Sequence, residues 1–351
     1  MPARTILQCA SSQHLNAPVP TSSLSEFSLI DRFFARRAQR PRTRAALGIG
    51  DDCALLAPQP GKMLAISTDM LVEGRHFFAD VAPDALGHKT LAVNLSDLAA
   101  MGATPRAFTL ACALPRADAD WLDAFSNGLF ALAERHGCEL VGGDTTSGPL
   151  NLCVTVFGDV AAGDALRRDA ARDGDDVWVS GVLGDARAGL GVIRGEWQAD
   201  AREAAVFRAA LERPEPRVAL GVALAGIAHA ALDVSDGLAG DLAHILRRSN
   251  VRADIDVDAV PHSAALATLP ADVRRRCMLE GGDDYELCFT AARSARTAIE
   301  AAGARAGVRV TRIGTIRALS APAPAPAITW RDASGAALPL TLHGFDHFDA
   351  N

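Results

Sequence analysis

Acidic residues recur at the ends of apolar, strand-like segments and on one apolar helix, and this repetition restricts the possible folds more than any other feature. The six segments are GIGDD (48–52), AISTDM (65–70), NLSDLAAMG (94–102), LVGGDTTSG (140–148), DVSDG (233–237) and EGGDDYE (280–286). A single Asp beside Gly is usually a turn residue or a helix cap. Two unpaired carboxylates about 4 Å apart, however, repel each other by roughly 4 kcal/mol at an effective dielectric constant of 20. Six such segments together predict a fold that gathers carboxylates around a cation.

The type of ligand indicates which cation. Lys and Arg are nearly absent from the six segments, with Arg75 and Arg106 the nearest, so the chain's own cations are not expected to compensate the acids. Carboxylates with Ser and Thr hydroxyls suit Mg²⁺ or Ca²⁺, whereas zinc prefers His and Cys, and no EF-hand spacing is present. Mg²⁺ usually takes one or two carboxylates and fills its other positions with water and phosphate oxygens. The sequence therefore predicts several Mg²⁺ ions and a phosphate-rich substrate.

Glycines near the acids support a phosphate-binding role, because they allow close backbone approach and free amides. They are Gly48, Gly50, Gly142, Gly143, Gly281 and Gly282, and the glycine-rich run GVLGDARAGLG (181–191) is a further, weaker candidate for a phosphate cradle. The familiar nucleotide motifs are absent. GHKT (87–90) fails as a P-loop because His88 replaces a required glycine, and GIGDDC lacks the third glycine of GxGxxG. An ATP site in this chain must have another design.

Composition sets the remaining limits. At 351 residues, with 49% apolar and 22% charged residues, the chain is expected to form two globular domains. A net charge of −7 argues against nucleic acid, and the arginine clusters at 36–44 and 274–276 are interpreted as solvated helix faces. No apolar stretch is long enough to span a bilayer. The seven cysteines are scattered without a CxxC pair, which is typical of a reduced, cytoplasmic protein.

Strands alternate with helices in both halves, which predicts an α/β (α+β) protein. Residues 1–24 are expected to be a disordered extension, 25–160 an N-terminal domain and 161–351 a C-terminal domain, with the small, charged stretch 161–176 as the boundary. Leu91, Asn94 and Asp97 are spaced three residues apart, so we expect Asn94 and Asp97 on one helix face. Strands are predicted at 53–57, 62–67, 138–144, 151–160, 176–181, 230–237 and 253–257. Helices are predicted from Ser25 and at 121–136, 201–211, 216–230 and 238–248.

The segments GIGDDCALL, STDMLVEGRHF, LAVNLSDLAAMGA, LVGGDTT, LDVSDGL and GGDDYELCF resemble, in order and spacing, the thiamine-monophosphate kinase family of the PurM-like (aminoimidazole ribonucleotide synthetase-like) superfamily. The resemblance runs from about Glu26 to the final GFDHF. It implies a two-domain PurM-like fold, with an N-terminal mixed-sheet domain that pairs with a second subunit and a C-terminal α/β domain. It also implies a homodimer that transfers the γ-phosphoryl group of ATP directly to thiamine monophosphate, giving thiamine diphosphate.

The resemblance also implies roles for individual residues. Mg²⁺ ligands are expected at Asp52, Ser67 or Thr68, Asp69, Asp97, Asp144, Asp233 and Asp236. ATP contacts are expected at Gly143, Asp144, Arg168 and Ser235, and contacts to thiamine monophosphate at His76, Asp283 and Phe345. Many relatives have Glu in place of Asp283 and a hydroxyl-bearing aromatic in place of Phe345. Asp51 is left open between a ligand and a turn residue, and no catalytic side chain is required because transfer is metal-assisted.

Two other functions remain open at this point. One is another PurM-like enzyme, but selenophosphate synthetase requires a reactive Cys in a glycine-rich setting that Cys9 lacks. Hydrogenase-maturation relatives end in a Cys, whereas this sequence ends in DHFDAN, and aminoimidazole ribonucleotide synthetase does not account for HFF and GGDDYELCF together. The other is a non-catalytic divalent-ion protein, which would bind metal without ATP.

Overall fold

The structure is a computed structural model that describes residues 25–38, 45–49, 53–57, 59–319, 328–342 and 344–345. The predicted extension at 1–24 lies outside the described residues, as do Asp51 and the predicted ligand Asp52. In the described part of the chain no helix has the length and apolar character needed to cross a bilayer.

The first half contains a short helical region followed by strands and two long helices. In chain order the elements are α1 (Glu26–Leu29), a π-helical turn (Ile30–Ala35), α2 (Arg36–Ala38), β1 (Ala45–Leu47), β2 (Leu55–Leu56), β3 (Lys62–Val72), α3 (Pro83–Ala100), β4 (Thr104–Leu114), α4 (Ala119–His136), β5 (Glu139–Ser147) and β6 (Asn151–Ala161). Pro83 occupies the first turn of α3, where its missing N–H costs no hydrogen bond. Asp118 caps α4 by accepting from the N–H groups of Asp120 and Trp121.

The second half alternates strands and helices. Its elements are β7 (Asp176–Ser180), α5 (Asp185–Arg194), α6 (Ala201–Glu212), α7 (Val218–Leu224), β8 (Ala230–Val234), α8 (Leu238–Ser249), β9 (Val251–Asp256), α9 (Ala271–Glu280), β10 (Glu286–Ala291), α10 (Arg296–Ala306), β11 (Val310–Ala318) and β12 (Ile328–Arg331), with 3₁₀ turns at Val257–Ala259, Leu266–Thr268 and Arg293–Ala295. β7, β8 and β10 are buried at every position, as expected for strands covered on both faces.

The strands form two main sheets. The first has the order β3-β6-β4-β5 and the second the order β12-β9-β11-β7-β10-β8, and β1 pairs with β2 separately. Both main sheets mix parallel and antiparallel pairs, since β4 is parallel to β5 and β12 is parallel to β9. The mixed α/β class predicted from the sequence is confirmed. The sequence patterns did not reveal β4, an inner strand of the first sheet.

Helix α3 is buried on nearly all sides and connects the two halves. A Cβ at Gly87 would overlap the carbonyl oxygen of Phe125, so glycine lets α3 approach α4 closely. Gly221 of α7 is packed in the same way against the backbone of Ala99. A single apolar cluster contains Leu95 of α3 together with Phe289 of β10, so the two halves share a core. The last turn of α3 is thereby fixed between the two sheets.

Candidate active site

A cavity of about 960 Å³ lies where the two halves meet. It is lined by β3 and the turn that follows it, by α3 and α5, by the end of β8, by the loop before β10, and by the chain segment at 344–345. Eight of the residues predicted as ligands or substrate contacts line it: Thr68, Asp69, His76, Asp97, Asp233, Asp236, Asp283 and Phe345. Ser235, a predicted ATP contact, does so as well. Acids that are far apart in the sequence therefore share one space.

Helix α3 supplies the connection between the acids of the two halves. Ser96 Oγ donates to Asp233 Oδ2 over 2.7 Å, which ties α3 to the end of β8. The next residue, Asp97, accepts a hydrogen bond from the hydroxyl of Ser67 on β3. The backbone N–H of Asp69 donates to Asn94 Oδ1 at 3.1 Å, so Asn94 and Asp97 both face β3, as their spacing predicted.

The carboxylates raise one another's pKa. Burial, followed by the negative charges of Asp97 and Asp233, raises the pKa of Asp69 to about 7. Burial and the charge of Asp97 raise the pKa of Asp233 to about 7, although the hydrogen bond from Ser96 and the charge of Arg168 act in the opposite direction. The cationic groups of the protein therefore leave this cluster under-compensated, and an added cation would stabilise the ionised form.

A second buried acid supports the loop that carries Ser235 and Asp236. Asp241 of α8 accepts hydrogen bonds from the backbone N–H groups of Ser235 (3.1 Å) and Asp236 (3.0 Å). Burial raises the pKa of Asp241 to about 8. The loop amides are therefore bound to the chain itself, while both side chains of the loop line the cavity.

The same cavity holds the predicted acceptor-substrate contacts, and Asp283 lies beside the loop after β8, since its N–H donates to the carbonyl of Ser235 at 2.9 Å. Val72 N–H donates to His76 Nδ1 at 3.0 Å, which leaves the neutral ring's proton on Nε2. Asp283 has a left-handed backbone (φ 66°), which is uncommon outside glycine. Phe345 donates its N–H to the carbonyl of Asp236 at 3.0 Å, and the guanidinium of Arg75 lies 5.2 Å from the Phe345 ring centroid.

Four described residues of the predicted site, Gly143, Asp144, Arg168 and Ser67, are not among those that line the cavity. Gly143 and Asp144 lie on β5, the edge strand opposite β3, and are exposed. Backbone pairing places four residues in one row across the sheet, from Asp144 through Ala111 and Cys153 to Met70. This row lies on the face of the sheet away from α3 and α4. Arg168 is exposed but lies close enough to lower the pKa of Asp233. Ser67 contacts the site through Asp97.

The sequence patterns missed the cationic side of the cavity. Five basic side chains line it: Arg75, Lys89, Arg187, Arg194 and Arg276. Arg276 of α9 lines the cavity while its side chain stays 65% exposed, so it remains solvated, as predicted. The glycine-rich run 181–191 was a candidate phosphate cradle. Its Gly184 N–H, at the start of α5, donates instead to both carboxylate oxygens of Asp284 (3.0 and 2.9 Å) and is already paired.

The donor set fits a hard divalent cation that arrives with phosphates. Within the described ranges no three His, Cys, Asp or Glu side chains are arranged to enclose a metal by themselves. Asp69, Asp97 and Asp233 nevertheless supply only oxygen donors, and the raised pKa values of Asp69 and Asp233 show unrelieved negative charge. A site with few protein ligands and unbalanced charge is what Mg²⁺ bound through substrate phosphates requires.

Both halves of the chain match known domain families. Residues 50–160 match the AIR synthase related protein, N-terminal domain, and residues 172–321 match the AIR synthase related protein, C-terminal domain. The fold and the site thus define a two-domain protein of the AIR synthase-related class. The thiamine-monophosphate kinase of Salmonella typhimurium is 48% identical over 295 residues, covering 84% of this chain and 90% of that protein. The chain belongs to the thiamine-monophosphate kinase family.

Solved structures agree with this assignment. The crystal structure of thiamine-monophosphate kinase from Stenotrophomonas maltophilia is 48% identical, has a TM-score of 0.80, and covers 90% of this chain and 98% of that chain. AaThiL complexed with AMPPCP and TMP is 27% identical, has a TM-score of 0.72, and covers 93% of this chain and 97% of that chain.

Proposed function

We propose that this protein transfers the γ-phosphoryl group of ATP to thiamine monophosphate, producing thiamine diphosphate. The observation that supports the proposal is that the predicted metal ligands Asp69, Asp97 and Asp233 and the predicted acceptor contacts His76 and Asp283 line one cavity. A cavity of about 960 Å³ lined in this way would hold both phosphorylated reactants. The family relationship and the AaThiL complex with AMPPCP and TMP support the same reaction.

Asp69, Asp97, Asp233 and Asp236 would hold Mg²⁺, with Thr68 and Ser67 nearby on β3. When bound, Mg²⁺ neutralises phosphate charge and aligns the reacting groups. Asp52 and Asp144 remain proposed ligands, and Gly143, Asp144, Arg168 and Ser235 remain proposed ATP contacts. Asp144 emerges on the open face of the sheet, so its role depends on what covers that face.

The chain's own part in the reaction is to bind and orient. A phosphate monoester has its second pKa at roughly 6, so the acceptor is already a nucleophile at neutral pH and no general base is needed. His76, with its proton on Nε2, is suited to donate to an acceptor phosphate oxygen. Phe345, anchored through its N–H to Asp236, forms a wall over the ring system of the acceptor.

We propose a homodimer formed through the open face of the first sheet, defined by Leu64, Ile66, Met70 and Phe157. The side chains of Leu64, Ile66 and Met70 are 51%, 59% and 52% exposed, and the opposite face of the sheet packs on α3 and α4. An exposed apolar patch of this kind marks an interaction surface. A two-fold contact would cover the face with its own copy.

We also propose that the protein works in the cytoplasm. Cys53, Cys112, Cys138, Cys153, Cys277 and Cys288 are thiols in the described part of the chain. Thiols of this number persist in a reducing compartment, where ATP is also supplied.

Incubation with ATP, Mg²⁺ and thiamine monophosphate, followed by chromatography, tests the reaction. We expect thiamine diphosphate and ADP in equal amounts, and no product from free thiamine, which lacks the acceptor phosphate. Failure to form thiamine diphosphate, with ATP and Mg²⁺ binding intact by calorimetry, would contradict the proposal.

A further inference from the structure

The chain contains 35 basic residues besides histidine, and only Lys62 and Lys89 among them are lysines. Lys62 is exposed at the start of β3, whereas the Lys89 side chain is 3% exposed within α3. Lys89 is part of the GHKT sequence that fails as a P-loop. A buried lysine is uncommon unless it is paired, so the contacts of the Lys89 ammonium group show what it does at this point.

Lys89 joins two of the three residues predicted to contact the acceptor substrate. Its Nζ lies 2.9 Å from Asp283 Oδ1 and donates to the carbonyl oxygen of His76 over 3.3 Å. The Tyr285 hydroxyl donates to the same Oδ1 at 3.1 Å. One ammonium therefore connects the turn after β3, in the first half of the chain, with the loop before β10, in the second half.

The backbone around Asp283 needs such support. Asp283 and Tyr285 have φ values of 66° and 51°, and residues other than glycine adopt this left-handed region only when their surroundings hold them there. With two donors on Oδ1, the Asp283 carboxylate is fixed in direction while it remains 34% exposed to the cavity. The two donors, Lys89 and Tyr285, therefore also set the direction of the second carboxylate oxygen of Asp283, which solvent alone would leave free to rotate.

We propose that Lys89 is a positioning residue for the acceptor substrate, acting through Asp283 and the backbone of His76 across the junction of the two halves. The inference rests on the proposed function and extends it, because it names the residue that fixes the geometry of two predicted acceptor contacts, His76 and Asp283. Within the described part of the chain, the polar contacts of Lys89 Nζ are to Asp283 and to the carbonyl of His76, and not to Asp69, Asp97 or Asp233. Loss of Lys89 therefore affects acceptor binding more than nucleotide binding.

An arginine does not replace this ammonium. The two acceptors of Lys89 belong to separate elements and lie in different directions from Nζ, and an ammonium can rotate its three donors to meet both. A planar guanidinium donates in one plane and is longer, so it would displace the loop at Asp283. Lys89→Arg keeps the positive charge but changes the hydrogen-bond geometry, so this variant shows which of the two the acceptor contacts require.

Steady-state kinetics of Lys89→Met and Lys89→Arg, with Lys62→Met as the matched control, tests the proposal. We expect Lys89→Met to raise the KM for thiamine monophosphate about 10- to 100-fold and to change the KM for ATP less than about twofold. Lys89→Arg recovers part of the loss, and Lys62→Met behaves as wild type. Thermal melting of each variant establishes that it is folded at the assay temperature.

A double-mutant cycle with Asp283→Asn gives the second readout. If Lys89 acts through Asp283, Lys89→Met adds less than about threefold to the acceptor KM when Asp283 is already Asn. Equal increases in both KM values, or full additivity with Asp283→Asn, would overturn the positioning role. Wild-type protein without thiamine-monophosphate kinase activity would instead overturn the proposed function, so the two failures are distinguishable.

Discussion

Ser96 Oγ lies 2.7 Å from Asp233 Oδ2, and this hydrogen bond joins the last turn of α3 to the end of β8 across the two halves of the protein. Both residues are buried. Because Asp97 follows Ser96 directly, the same turn of helix presents one carboxylate to β3 and holds a second one on β8. The separation between the carboxylates is therefore set by rigid secondary structure, as a preorganised metal site requires.

Asp97→Asn should lower kcat by about 10³-fold without loss of folded protein. The amide oxygen can still accept from Ser67, but the negative charge that the metal site needs is gone. Removing a charge that raises the pKa of both Asp69 and Asp233 should leave Tm unchanged or higher. Kinetics and thermal melting measure the two effects, and near-normal turnover in a folded variant would contradict the metal role of Asp97.

The metal-free protein should lose stability as the pH rises from about 4 towards 8. The pKa values of Asp69 and Asp233 are raised to about 7, so the folded state holds protons that the unfolded chain releases near pH 4. This contribution is present at low pH and is lost as the pH rises through 7. Mg²⁺ replaces those protons, so its effect on Tm should be larger at pH 8 than at pH 5.5. A magnesium-induced shift in Tm that is the same at both values would contradict this reasoning.

Gly240→Ala should weaken acceptor binding through the segment that carries Phe345. A Cβ at Gly240 would lie 2.7 Å from the Cα of Gly344, closer than side chains approach backbone, so residues 344–345 must shift. We expect the KM for thiamine monophosphate to rise about fivefold while the KM for ATP is unchanged. Phe345→Ala provides the reference, since it should give the same pattern, and an unchanged acceptor KM in Gly240→Ala would contradict the account.

Ile66→Asp should convert the proposed dimer into monomers. Ile66 is 59% exposed in the middle of the open face, and a carboxylate there would lie opposite its own copy in a two-fold interface. Light scattering after size exclusion measures the mass. Val206→Asp, at an exposed apolar position on α6 (41% exposed), is the control and should not change the mass. A monomeric wild-type protein, or an Ile66→Asp variant that stays dimeric, would contradict the proposed interface.

Much of the fold and of the acidic half of the site was predictable because both rest on local patterns. The spacing of Asn94 and Asp97 places them on one helix face, where both contact β3. The motifs also identified the family. Such patterns can be recognised without knowing which helices and strands pack together in the fold.

The cationic half was not predictable because it depends on packing between distant elements. Lys89 reaches Asp283 only because α3 is buried between the two halves, and no spacing in the sequence encodes that contact. The sequence shows Arg276 only as one member of a solvated cluster, and its position beside the cavity becomes visible when α9 is packed beside α5. β4 was missed because TPRAFTLACAL mixes proline, small residues and apolar residues without a clear period of two.

The most direct measurement is the binding of Mn²⁺ with saturating AMPPCP, followed by electron paramagnetic resonance, for wild type, Asp97→Asn, Asp233→Asn and the double variant. We expect each single change to weaken binding of the same ion and the double variant to lose little more than either one, because acids from both halves share one site. Independent losses of two separate ions, or undiminished Mn²⁺ binding in the double variant, would contradict the claim that α3 and β8 build a single metal-dependent centre.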